Sequence, residues 1–317
     1  MGPTTNTIEV RNLQKGYKEV PVLHDVSFTV ERGKVFALLG ANGSGKTTTI
    51  NILTTLTKAD GGTARVAGFD VATQASKVRE QISLTGQFAA VDYILTAREN
   101  LVLMGDLRHI PDSEGTATAL LDKFDLNDAA DRRLLTFSGG MRRRLDIAMS
   151  LVGDAPIVFF DEPTTGLDPK GRADMWLTIR EMADAGTTVF LTTQYLEEAD
   201  HLADEIAILH GGRVVAGGTP EELKTMLPAG IVEFEFEGDE QVAAAVRALG
   251  DQHEVNRIDL KLTVATTGSV ADMADVFIRL NDAGVEPTGF SRQMPTLDDV
   301  YFKILDEEKE ERHASAH

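Results

Sequence analysis

The chain has no cysteine among its 317 residues, which excludes a disulfide framework and any thiolate metal site. Positive charge is scarce. Lys and Arg number 31 against 50 Asp and Glu, a formal charge of −19. A duplex is held mainly by Lys and Arg neutralising phosphates, so no nucleic-acid partner is expected. Long apolar runs are missing too: stretches such as Ile157 to Phe160 and Val35 to Leu39 are strand-sized, whereas a membrane span needs about 18 residues. The start, Met1-Gly2-Pro3-Thr4-Thr5-Asn6, shows neither an apolar signal core nor the Ser or Thr of a myristoylation motif, and a cytosolic chain is the expectation. Seven scattered histidines suggest no metal site, and His313 with His317 reads as part of a solvated end.

What is present is alternation. Up to about Leu227, short β-rich runs alternate with helical stretches, the pattern of βαβ units around a largely parallel sheet. Lys34 to Leu39, Ile157 to Phe160 and Thr188 to Thr192 are the clearest strands. Each runs out into polar or glycine-rich chain, and ligands of open α/β sheets sit beyond the carboxyl ends of strands. Around Pro228-Ala229-Gly230 the pattern breaks, and Ile231 to Glu237 alternates strictly as a half-buried strand does. The remainder reads strand (231–237), helix (about 239–249), strands (about 253–258 and 260–266), helix (about 270–283) and strand (about 286–292), a ferredoxin-like βαββαβ order. Expected boundaries are therefore an α/β domain at 1–227, with a helical subdomain at about 96–155, a small α+β domain at 228–306, and a solvated tail at 307–317. A final helix from Thr296 to Asp306 is expected, with Thr296 as its N-cap.

The strand ending at Leu39 enters Gly40-Ala41-Asn42-Gly43-Ser44-Gly45-Lys46-Thr47-Thr48, which matches G-x-x-x-x-G-K-[ST] between a strand and a helical run. Backbone N–H groups freed by the glycines cradle phosphates, Lys46 reaches the β and γ phosphates, and Thr47 binds Mg²⁺. ATP contacts are thus expected from Gly40, Asn42, Gly43, Ser44, Gly45, Lys46, Thr47 and Thr48. The strand Ile157 to Phe160 delivers Asp161-Glu162. A P-loop ATPase needs one acid to hold the cation and another to orient the attacking water, roles that suit Asp161 and Glu162 in that order.

Between these elements lies Ser138-Gly139-Gly140-Met141-Arg142-Arg143-Arg144-Leu145, and after them Pro163-Thr164-Thr165-Gly166-Leu167-Asp168-Pro169. With them, Ile8 to Leu223 resembles the ATP-binding subunit of an ABC transporter. The resemblance implies that Tyr17 stacks on adenine, that Gln87 is the loop glutamine and a Mg²⁺ ligand beside Thr47 and Asp161, and that Ser138, Gly139 and Gly140 are the signature contacting the ATP of a second copy. Asp168 is the D-loop residue on this reading. It further implies a head-to-tail dimer, a separate polytopic permease and a place on the cytoplasmic face of the membrane.

Two departures stand out. Met141 occupies the position where the family's usual signature has Gln, and Gln194 stands where most members place a switch histidine. Gln can donate a hydrogen bond to a γ-phosphate but carries no charge and shuttles no proton, so slow hydrolysis, or hydrolysis relying on Glu162 and Lys46, is the expectation. The Met141 signature, Thr192-Thr193-Gln194-Tyr195-Leu196-Glu197-Glu198-Ala199-Asp200 and Pro295 to Tyr301 resemble the daunorubicin-type and tetronasin-type exporters. Those imply an ABC-2 permease and a drug or lipid-like cargo. Phe88 to Asn100, with Tyr93, Ile94 and Leu95, is the stretch expected to meet the permease. Alternatives of another class are a soluble nucleotide-gated clamp or a regulatory ATPase without transport. A GTPase reading from Thr57-Lys58-Ala59-Asp60 fails because that string follows Lys46 too soon.

Overall fold

The computed structural model describes residues 6–85, 91–153, 155–227, 230–250, 253–256, 260–266, 269–293 and 295–315. It comprises two compact units, Met1–Thr219 and Pro220–His317.

In the first unit a six-stranded sheet has the spatial order Arg213–Gly218, Glu205–His210, Val35–Leu39, Thr188–Thr193, Ile157–Asp161, Ile82–Thr85. All neighbours run parallel except the first pair. Strands covered on both faces need apolar side chains at every position; accordingly, Val35–Leu39 and Ile157–Asp161 are buried throughout. An antiparallel sheet, ordered Val20–Glu31, Asn6–Tyr17, Gly61–Val66, Phe69–Asp70, packs on this one. Ile8, Val10 and Val26 from the second sheet share a core with Phe36, Phe159 and Phe190 from the first. The Phe190 ring lies 5.4 Å from Phe36 and 5.3 Å from Phe159. Full burial of each such ring is worth about 1.5–3 kcal/mol.

In chain order, helices Ala97–Leu107, Ser113–Lys123 and Gly139–Ser150 come between the edge strand Ile82–Thr85 and its neighbour Ile157–Asp161. Their starts are written locally. Thr96 and Glu99 form a reciprocal capping box, and Asp112 and Ser138 accept hydrogen bonds from Gly115 and Met141.

The second unit's sheet has the order His253–Asn256, Lys261–Ala265, Ile231–Glu235, Gly289–Gln293, antiparallel throughout. Val232, Phe234, Leu262 and Val264 pack against Val242, Ala245, Val276 and Leu280 of helices Asp239–Leu249 and Val270–Asp282. Two expectations need correcting. The division falls at Thr219/Pro220 and not at 228, because the short helix Pro220–Lys224 packs on Leu297–Ser315 and Lys303 Nζ donates to the Met226 carbonyl at 3.0 Å. The expected tail is helical as far as Ser315; Glu, Lys and Arg, which fill 307–312, are good helix formers, so the last helix does not stop at Asp306.

Candidate active site

The parallel arrangement sets the carboxyl ends of Val35–Leu39, Ile157–Asp161 and Thr188–Thr193 side by side. From Leu39 the chain turns through the glycine-rich loop into the helix Lys46–Leu53. Gly45, at the helix N-cap, has φ of 110°, a conformation L side chains rarely adopt, and a Cβ there would lie 2.5 Å from Leu23 Cδ2. That packing seats the loop against the strand Val20–Glu31. Asn42 and Gly43 are exposed, Thr48 is half-buried, and Ser44 is buried with its Oγ lacking a hydrogen-bond partner.

Lys46 is buried, 5% exposed, and its Nζ donates to the carbonyls of Gly40 (2.8 Å) and Ala41 (3.2 Å). The same ammonium lies 3.6 Å from Glu162 Oε1. Burial lowers the Lys46 pKa, against the pull of Glu162 and then Asp161, which favour the charged form. Thr47 Oγ1 donates to Asp161 Oδ2 at 3.0 Å, and the Thr192 hydroxyl donates to the other Asp161 oxygen. Hydroxyl and carboxylate oxygens are the hard donors that Mg²⁺ takes, so Thr47 and Asp161 fit that cation. Glu162 sits just past the strand at φ of 52°, a left-handed conformation costing about 1–2 kcal/mol for an L residue. Its N–H donates to the Thr192 carbonyl at 3.1 Å, and Thr165 Oγ1 donates to its Oε2 at 3.2 Å.

The Gly40 N–H donates to the Thr193 carbonyl at 3.1 Å, and half-buried Gln194 directly follows Thr193 in the chain. Tyr17 ends its strand 46% exposed, with Lys15 Nζ 5.4 Å from its ring centroid. Gln87 falls outside the described residues. Ser138 and Gly139 are exposed where the helix Gly139–Ser150 begins, and a Cβ on Gly139 would meet nothing within 4 Å. That leaves its backbone open to an approaching anion, and Gly140 follows half-buried. Asp168 caps the helix Pro169–Asp184 by accepting from Gly171 N–H at 2.9 Å.

Sequence reasoning missed Thr192 and Arg143. Thr192 meets Asp161 from 31 residues away, a pairing visible only once the two strands are known to be neighbours. Arg143 had one local signal, the i,i+3 spacing to Asp146, with which it pairs at 3.2 Å.

A P-loop beside paired acids, with a capped Ser-Gly-Gly helix and an aspartate-capped helix in the same unit, defines an ABC-type ATPase. Comparison with known proteins agrees. The ABC transporter family model matches residues 23–165. The chain is 41% identical over 313 residues to a daunorubicin resistance ATP-binding protein of Streptomyces coeruleorubidus, covering 97% of each. It is 39% identical to a doxorubicin resistance ATP-binding protein of Mycobacterium tuberculosis, over 94% of this chain and 93% of that one. A solved ATP-binding subunit of an ABC transporter superposes with a TM-score of 0.64 at 31% identity, over 70% of this chain and 93% of the other. The chain belongs to the ABC transporter family, as one of its ATP-binding subunits. Among the described residues no helix is long and apolar enough to cross a membrane.

Proposed function

We propose that this subunit hydrolyses ATP to power export of a drug or another hydrophobic, lipid-like compound through a separate ABC-2 permease, working peripherally on the cytoplasmic face of the membrane. The observation that carries the chemistry is a pair of contacts between the P-loop and the strand end, Lys46 with Glu162 and Thr47 with Asp161. End-to-end likeness to drug-resistance ATP-binding proteins supports the cargo class.

On this reading the loop N–H groups and Lys46 hold the phosphates, Tyr17 stacks on the base, and Glu162 orients the attacking water and takes up its proton. Thr47 and Asp161, with Gln87, would hold Mg²⁺, which neutralises phosphate charge when bound. Gln194 donates to the γ-phosphate without charge. Ser138, Gly139 and Gly140 serve the ATP of a second copy, with the helix N-terminus favouring an anion. ATP then bridges two chains and its hydrolysis parts them, because the γ-phosphate is the shared ligand. Tyr93 (42% exposed) and Ile94 (70%) lie beside Leu135 (68%), whose N–H donates to the Tyr93 carbonyl at 3.3 Å. This apolar cluster is the surface offered to the permease. The second unit is a ferredoxin-like domain, a reading its strand order supports, and serves as a brace or dimerisation element. The test is recovery of a polytopic membrane protein with the tagged chain and ATP-dependent extrusion of an anthracycline from vesicles holding both. Loss of extrusion when Lys46 is replaced is expected; extrusion indifferent to ATP would overturn the proposal.

A further inference from the structure

The guanidinium of Arg143 reaches from the signature helix to three successive backbone carbonyls. Its Nε donates to Pro163 O at 2.9 Å, and its Nη2 to Glu162 O at 3.1 Å and Asp161 O at 3.3 Å. Nη1 donates to the buried carboxylate of Asp146 at 3.2 Å, one helical turn on. The side chain is 11% exposed. Its planar fork suits this arrangement: five N–H donors in fixed directions can span several acceptors, which a Lys ammonium on a flexible stem cannot hold in one geometry.

The segment it grips is the strained one. Glu162 has φ of 52°, and its peptide N–H donates to the Thr192 carbonyl. Held at N–H and C=O, the residue keeps a conformation that its own preference resists, and its side chain is left directed at Lys46, 3.6 Å away. We infer that Arg143 is a positioning residue for Glu162, fixing the backbone from Asp161 to Pro163 so that the carboxylate stands where a γ-phosphate and its attacking water would be. Because Arg143 and the Ser138 cap belong to one helical segment, a movement of the signature helix is delivered to the Glu162 turn of the same chain. This inference rests on Glu162 as the water-orienting acid.

The test is steady-state and single-turnover hydrolysis by the full chain with its membrane partner, comparing wild type, Arg143→Gln, Arg143→Lys, Glu162→Gln and the Arg143→Gln/Glu162→Gln pair. Misplacing a reacting group by about 1 Å costs up to about 100-fold. Arg143→Gln should therefore lower kcat by about 10- to 100-fold while KM for ATP stays close to wild type, and should lower the melting temperature because buried Asp146 loses its cationic neighbour. Arg143→Lys keeps a cation beside Asp146 and should restore stability without restoring kcat; if the Gln variant does not fold, the Lys variant carries the comparison. In the Glu162→Gln background, Arg143→Gln should slow the residual turnover no further. Unchanged kcat in both Arg143 variants, a loss confined to KM, or an equal slowing in the Glu162→Gln background would overturn the inference. Wild-type turnover in Glu162→Gln alone would instead overturn the role of Glu162.

Discussion

The two units handle charge in opposite ways. In the first, buried Lys46 donates to backbone carbonyls and pairs with Glu162, buried Asp161 accepts from the Thr47 and Thr192 hydroxyls, and buried Asp146 pairs with Arg143. In the second, Lys261 pairs with Glu233 at 2.7 Å and Glu235 at 3.1 Å on the sheet side away from the core residues Val232 and Phe234, where solvent screens them. Removing charge from water is costly unless something is gained by it. The first unit bears that cost where a charged ligand is handled, whereas these described charges of the second pair at the surface. The difference supports placing the chemistry in Met1–Thr219 and the bracing role proposed for Pro220–His317.

The sharpest way to break this contrast is chemical. Glu162→Gln should cut phosphate release by about 10²–10⁴-fold, the usual contribution of a positioned general base, whereas Lys261→Ala should leave it unchanged. Turnover assays on both variants decide it. Next comes packing. Phe190→Ala and Phe234→Ala each empty a fully buried ring site and should each cost about 3–5 kcal/mol by denaturant unfolding. Only the first should abolish ATP binding, if the second unit's part is mechanical. A surface change follows: Ile94→Asp with Leu135→Asp alters exposed positions, so the melting temperature should hold within about 2 °C while recovery with membranes is lost, as a pelleting assay would show.

The smallest effect concerns Glu198, fully buried, whose pKa is raised by burial against the opposing pull of nearby donors such as Trp176 Nε1, 3.4 Å from its Oε1. Between its ordinary value of 4.5 and the raised one, the folded chain holds a proton that the unfolded chain has released. Stability therefore falls as pH rises through that window and stays lower above it. Glu198→Gln keeps an acceptor for Trp176 and removes the titration. It should melt roughly 2–4 °C higher than wild type at about pH 8, with the gain gone at about pH 4.

What could be read from the chain was what is written contiguously. Gly40 to Thr48 shows itself because one loop must present several N–H groups in a row, and Val35–Leu39 because a doubly covered strand is apolar at every position. Thr296 could be read as a cap because the residue it bonds, Asp299, lies three positions on. Thr192 beside Asp161 and Arg143 beneath Glu162 could not be read, since strand pairing and helix packing create those meetings between distant parts of the chain. The end of the last helix was misread for a related reason: a run of charged residues looks solvated, yet the same residues favour helix.

Phosphate release from ATP by the full chain with its membrane partner, wild type against Glu162→Gln, tests the central claim most directly. The expected result is turnover that rises with the partner present and falls by at least about 100-fold in the variant. Turnover that ignores both the partner and the substitution would contradict an ATPase motor built on this site.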